Sequence, residues 1–248
     1  GANINYFLPN RRKDGYGLST KIVKQAAQNN YDLIITVDNG ISAHEAAREA
    51  EKLGVDLIIT DHHRPHDEIP PALAIINPNQ PACEYPFKAL AGVGVVFKLM
   101  CLLYEQKKLS LPDKVYELFL LGTIADVVPL TGENRYWVRH ALAKINARRS
   151  HALEKLVANS KMVKETLRSL DIGFMLAPQI NALGRLDDPR EAVKFLISSE
   201  LSEIERRLLF LVSEISMNGS ITLMRWTCCH FNERISVRRI PVFKAVIR

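Results

Sequence analysis

The chain has 248 residues, is 47% hydrophobic and carries a formal net charge of +6. That length and apolar content suffice to bury a sizeable core, while no window approaches the roughly 18 to 20 uninterrupted apolar residues of a membrane span and no charged n-region leads into an apolar stretch. A membrane-spanning helix is not predicted, Cys83, Cys101, Cys228 and Cys229 lack the density and pairing of a disulfide scaffold, and the expectation is a soluble, cytoplasmic protein with reduced thiols.

Asn3 to Leu8 reads as a strand, followed by a basic, glycine-bearing loop, Pro9-Asn10-Arg11-Arg12-Lys13-Asp14-Gly15-Tyr16-Gly17, and a helix capped by Ser19. Strands are predicted at about 33 to 37, 56 to 60 and 73 to 76, each apolar enough to be buried on both faces. Tyr31-Asp32-Leu33-Ile34-Ile35-Thr36-Val37-Asp38 nearly repeats in Val55-Asp56-Leu57-Ile58-Ile59-Thr60-Asp61, and between them Ser42 and Glu45 form a Ser-x-x-Glu capping box opening an Ala/Glu-rich helix to about Leu53. This is a βαβ unit. Its parallel strands end side by side, where open α/β sheets bind ligands, so Asp38 and Asp61-His62-His63 are expected to share one cleft.

From Ala89 the pattern becomes helical, first through Leu90-Ala91-Gly92-Val93-Gly94-Val95 to about Tyr104, then from Lys114 to about Ile124, then in shorter pieces to Ser160. Further helices are predicted near 166 to 178, 190 to 198 and 200 to 215. The expected organisation is an α/β part over 1–88, a helical part over 89–200, a connecting helix over 201–216 and an atypical basic tail over 217–248. The tail holds Arg225, Arg234, Arg238, Arg239, Lys244 and Arg248 against Glu233 alone, which leaves the rest of the chain nearly neutral. It reads either as a phosphate-contacting segment or, preferably, as something other than native family sequence. Overall pI is therefore a poor argument for nucleic-acid binding.

Carboxylates with imidazoles at strand ends suit Mn²⁺ or Mg²⁺, since oxygen ligands dominate and a neutral histidine nitrogen adds some softness. Two such ions about 3.5 to 4 Å apart can activate a water, orient a phosphodiester and neutralise the leaving oxygen. Plainer readings stand beside this one. Asp38 with Asn39-Gly40 also reads as a turn, and Asp126 as a helix-end residue before Pro129; His44, His66, His140, His151 and His230 read as ordinary histidines.

Six ordered motifs resemble those of the RecJ exonucleases among the DHH phosphoesterases. They are Val37-Asp38-Asn39-Gly40-Ile41; Asp61-His62-His63; Asn77-Pro78 with Tyr85-Pro86-Phe87-Lys88; Leu90-Ala91-Gly92-Val93-Gly94-Val95; Gly122-Thr123-Ile124-Ala125-Asp126-Val127-Val128-Pro129-Leu130; and Asn181-Ala182-Leu183-Gly184-Arg185-Leu186. The resemblance covers roughly residues 3 to 210 and implies a DHH domain over 1–200 with a parallel Rossmann-like sheet. It implies that Asp38, His62 and Asp126 are metal ligands for Mn²⁺ or Mg²⁺, that Asp38 bridges two ions, that His63 faces the scissile phosphate and that Asp61 orients a histidine. Arg11 and Arg185 resemble phosphate-holding positions, and Tyr16 either stacks on a base or packs beneath its loop.

The same resemblance implies an Asp-x-Asp strand ahead of the first one here and further C-terminal domains. The expectation is accordingly a fragment, incomplete at its N-terminal strand, with exposed sheet faces and impaired activity. The implied activity is metal-dependent 5′-to-3′ hydrolysis of single-stranded DNA in repair and recombination, with single-strand-binding protein and a helicase as partners and no membrane association. Two alternatives remain open: a catalytically inactive DHH module that binds single strands or acts as a scaffold, and a DHH phosphohydrolase of small molecules or oligonucleotides.

Overall fold

In the computed structural model residues 4–9, 17–66, 68–183, 190–217 and 245–247 are described. The first half follows the predicted alternation: β1 (Ile4–Tyr6), α1 (Thr20–Gln28), β2 (Leu33–Val37), α2 (His44–Lys52), β3 (Asp56–Thr60) and β4 (Ala74–Ile76). Ser19 caps α1 by accepting from the Ile22 N–H, which satisfies one of the orphan donors at a helix start. Strands β2, β3 and β4 pair in parallel. β5 (Ala245–Ile247) lies between β1 and β2, antiparallel to both, so the sheet is mixed.

The predicted capping box is not formed. Ala43, not Ser42, stands at the α2 N-cap, with no side-chain cap. The approach to the helix is a turn in which the Ala43 N–H donates to Gly40 O at 2.9 Å, while the Ile41 N–H donates to Asp61 Oδ2 at 3.1 Å. Asp61 thus ties the approach to α2 to the neighbouring strand end. On its inner side α2 presents Ala46, Ala47 and Ala50, which pack with Val23, Ala26, Ile34, Leu57 and Ile59 into one core. Small side chains there let helix and sheet approach closely.

The second half is helical: α3 (Gly92–Gln106), α4 (Asp113–Ala125), α5 (Gly132–Ala147), α6 (His151–Asn159), α7 (Ser169–Asp171), a π-helical turn (Ile172–Leu176), α8 (Ala177–Leu183), α9 (Arg190–Ile197) and α10 (Leu201–Met217), with the 16-residue α5 where shorter pieces were expected. Its own core is built on Phe97, Phe119, Leu120, Leu156, Leu176 and Phe195, all almost fully buried. α3 also packs against β2 and β3, and thereby fastens the helical half to the sheet.

At the end of α4 the chain turns through Val127 at φ 58°. A β-branched residue in this left-handed region is strained, and with 64% of its surface exposed Val127 gains little burial in return. Glycine is the usual residue at that position after a helix. Val127→Gly is expected to raise the free energy of unfolding by about 1 kcal/mol, read as a higher urea midpoint at unchanged m-value; a lower midpoint would mean that the strain is relieved by contacts of the valine.

Candidate metal centre

Asp38 follows β2 directly, and Asp61-His62-His63 follows β3. The strand register pairs Val37 with Thr60, and the Asp38 N–H donates to Thr60 O at 2.9 Å, so both strand ends arrive level. Asp38 itself has φ 60°, a conformation aspartate tolerates better than most residues. The turn behind it is tied twice, by Thr36 Oγ1 donating to Asn39 O at 2.7 Å and Asn39 Nδ2 donating to Val37 O at 2.7 Å.

Asp61 is almost wholly buried, at 1% exposure. Its carboxylate accepts from the backbone N–H groups of Ile41, His62 and His63 and lies 2.5 Å from His63 Nδ1. Burial alone would raise its pKa, but His63 and the Ile41 and His63 N–H groups more than offset it and hold the carboxyl below the usual range. Asp61 therefore organises the loop and orients His63. The histidine backbones are held from behind, by Asn77 Nδ2 donating to His63 O at 2.8 Å and Asn79 Nδ2 donating to His62 O at 2.6 Å.

His62 is fixed by its ring. Nδ1 lies 2.9 Å from Leu90 O, and a carbonyl can only accept, so Nδ1 carries the proton and the neutral ring turns the lone pair of Nε2 into the cleft. There it meets Asp38 Oδ1 at 3.0 Å and Asp126 Oδ2 at 3.7 Å. Asp126 arrives from the C-terminal end of α4. The Leu90 carbonyl is itself positioned by α5, where buried Asn134 donates to Ala89 O at 2.6 Å and to Pro129 O at 3.0 Å.

The chemistry of this donor set fits a cation. Asp38 Oδ1 and His62 Nε2 are buried without a hydrogen-bond partner, and two acceptors facing each other at 3.0 Å repel unless a positive charge lies between them. That separation is about what two adjacent ligands at roughly 2.1 Å in an octahedral shell would show. Burial by itself would lower the His62 pKa; Asp38, Asp126 and Asp61 more than reverse this and raise it, so that without a metal a proton takes the same place. Asp38, His62 and His63 also offer ligand atoms that all lie within 4.8 Å of one another.

Of the residues singled out in the sequence, Asp38, Asp61, His62, His63 and Asp126 thus converge. Arg11, Tyr16 and Arg185 lie outside the described residues. Asn77, Asn79 and Asn134 were given no role from sequence, although Asn77-Pro78 stood inside a motif. Gly92 was missed as well. A Cβ at this position, the first of α3, would overlap Asp38 Oδ1 and lie 2.6 Å from its Cγ.

This architecture is that of a known class. Residues 1–123 match the DHH family, N-terminal domain, and the chain belongs to the DHH family. Among curated proteins it is similar to the single-stranded-DNA-specific exonuclease RecJ of Salmonella typhimurium (strain LT2), 43% identical over 213 residues that cover 81% of this chain and 37% of the relative. Two solved structures are similar: exonuclease RecJ bound to manganese, with TM-score 0.74 and 33% identity over 85% of this chain and 53% of the other, and RecJ of Thermus thermophilus in complex with Mn²⁺, with TM-score 0.69 and 32% identity over 80% and 30%. The chain thus spans little more than a third of the length of the curated relative it matches.

Gly92→Ala tests the geometry directly. The added methyl must push Asp38 out of the cleft or α3 away from the strand end, so Mn²⁺ affinity measured by calorimetry is expected to fall at least tenfold, a change comparable to losing a supporting contact of a metal site. Far-UV circular dichroism should be unchanged. Wild-type affinity in this variant would mean that Asp38 is not a ligand.

Proposed function

We propose that the cleft hydrolyses phosphodiester bonds of single-stranded DNA from the 5′ end, with Mn²⁺ or Mg²⁺ held by Asp38, His62 and Asp126. The observation that carries this reading is the pair of buried acceptors, Asp38 Oδ1 and His62 Nε2, facing each other at 3.0 Å without a hydrogen-bond partner. It is supported by the relatives, which are named single-stranded-DNA-specific exonucleases and of which solved examples are described as bound to manganese. A bound ion would supply Lewis acidity to the phosphate and to the attacking water.

The chain's own residues do the rest. Asp61, kept ionised, holds His63 through Nδ1 so that the ring faces the scissile phosphate and can stabilise its charge. Asn77 and Asn79 fix both histidine backbones against drift. Arg11 and Arg185 bind phosphates, and Tyr16 stacks on a base; single-strand-binding protein and a helicase are the partners this role calls for, in the cytoplasm. Among the described residues no helix is long and apolar enough to cross a membrane.

A second reading is a DHH module that holds single strands without cutting them. It is favoured by one feature: the converging Asp38, His62 and Asp126 make most of the ligand set for one ion, whereas two-metal hydrolysis needs a second. Incubating the chain with Mn²⁺ and 5′-labelled DNA separates the readings. Slow release of labelled mononucleotide is expected from single strands and not from duplex, and Asp38→Ala should abolish it. Metal-independent cleavage, or cleavage surviving Asp38→Ala, would sink the proposal, and binding without any cleavage would leave the scaffold reading.

The division between metal centre and phosphate clamp is separately testable. Arg185→Ala should leave Mn²⁺ affinity nearly unchanged and lower the salt slope of single-strand binding by roughly 0.7, the loss of about one released counterion. His62→Ala should do the reverse, impairing metal uptake at an unchanged salt slope. Loss of metal in Arg185→Ala would make that arginine a support of the site instead.

A further inference from the structure

Outside the cleft, α5 carries a row of rings that no role so far explains. Tyr136 stands edge-on to Trp137 at 4.9 Å, Trp137 lies 6.0 Å from His140, and His140 lies 5.3 Å from Tyr116 of α4. Trp137 rests on buried Phe97 at 5.1 Å, so the inner side of the row is core packing. The outer side is not: His140 is exposed, and Tyr136 leaves 63% of its surface in solvent.

Positive charge frames the rings. Lys98 Nζ lies 5.6 Å from the Trp137 ring centre and Lys144 Nζ 4.7 Å from that of Tyr116. These two are partly neutralised by Glu133 and Asp113. Arg135, Arg139 and Arg148 are exposed and make no ion pair with the described residues. Across residues 131–150 five basic residues, Arg135, Arg139, Lys144, Arg148 and Arg149, stand against Glu133 alone, in a chain that is nearly neutral before its tail. Arg135 and Arg139 are one helical turn apart and flank Tyr136, so the unneutralised charge runs alongside the ring row.

We infer that this face of α5, from Arg135 to Lys144, is a second contact for a single-stranded nucleic acid, with bases stacking on Tyr136 and His140 and phosphates held by Arg135 and Arg139. The inference rests on the proposed single-strand substrate and extends it beyond the cleft. Exposed rings interleaved with unpaired cations match what unstacked bases on a phosphodiester chain require. A duplex could use the arginines but not the rings, because its bases are already stacked; an acidic peptide likewise needs only the charge. The face is also joined to the metal centre, since Asn134, one residue before Arg135, holds the Ala89 carbonyl next to the Leu90 carbonyl that fixes His62.

The test uses the whole chain in EDTA, so that the cleft neither binds metal nor cleaves. Oligothymidylates of about 30 and about 5 nucleotides, one longer and one no longer than a single stretch of groove, are compared by fluorescence anisotropy. Tyr136→Ala and Arg139→Ala should each weaken binding of the long strand about tenfold, the size of one lost stacking or charged contact, with little change for the short one. Tyr136→Phe should retain the affinity, and thermal unfolding of Tyr136→Ala should be near wild type because the ring is exposed. In a Trp226→Phe background the long strand should quench Trp137 fluorescence. Unchanged affinity in Tyr136→Ala, no binding of the long strand at all, or an equal loss for duplex or polyglutamate would overturn the inference, the last pointing to a generic polyanion surface. If the chain fails to cleave with Mn²⁺ while Tyr136-dependent binding persists, the proposed activity fails and this surface stands; cleavage with Tyr136-independent binding would keep the activity and remove the surface.

Discussion

At the mouth of the sheet Asp38 Oδ1 and His62 Nε2 stand 3.0 Å apart, two acceptors that repel each other unless a proton or a cation is shared between them. Such a contact persists only if the surroundings over-determine it. Here they do: the Leu90 carbonyl dictates which nitrogen of His62 keeps the proton, the β3 backbone holds the Asp38 N–H, and the absent side chain of Gly92 leaves room for the carboxylate. Each constraint comes from a different element, and together they turn electrostatic repulsion into affinity for a cation or a proton.

The helical half is more than a cover for the sheet. α3 begins at Gly92 against Asp38, α4 ends at Asp126, and α5 opens with Asn134 beneath the Ala89 to Leu90 turn, so three helix termini meet at one strand edge. Their relative positions are set by the aromatic core, where Phe97 and Phe119 stack with ring centres 4.3 Å apart. Close packing transmits displacements, so a change in that core would be felt at the metal centre. Asp38 and Val127, beside Asp126, are two of the described non-glycine residues with positive φ, and packing elsewhere compensates for holding them there.

α5 has two distinct faces. Its buried side, Val138, Ala141 and Ile145, belongs to the core, while its outer side carries rings and arginines that packing does not require. Stability alone would have called for neither an exposed tyrosine nor like charges that find no ion pair among the described residues. α5 thus both braces the Ala89 carbonyl, next to the Leu90 carbonyl that fixes His62, and offers charge outside the cleft.

The paired strands, the helical second half and the cluster Asp38, Asp61, His62 and His63 were legible in the sequence because they rest on local signals: apolar runs, helical periodicity and polar residues at strand ends. The repeat between the two strands was visible too, yet its use was not. Identical letters lie 24 residues apart, whereas the register pairs Leu33 with Asp56, so matching residues face opposite sides of the sheet and Asp38 comes level with Asp61. Register depends on partners that sequence separation hides. The same holds for Asp61 bonding to Ile41, for β5 between β1 and β2, and for Asn134 reaching Ala89. Sequence alone determined which residues could do the chemistry, because ligand type is a property of a side chain; only the tertiary structure decided which nitrogen of His62 faces Asp38, because that depends on a carbonyl 28 residues away.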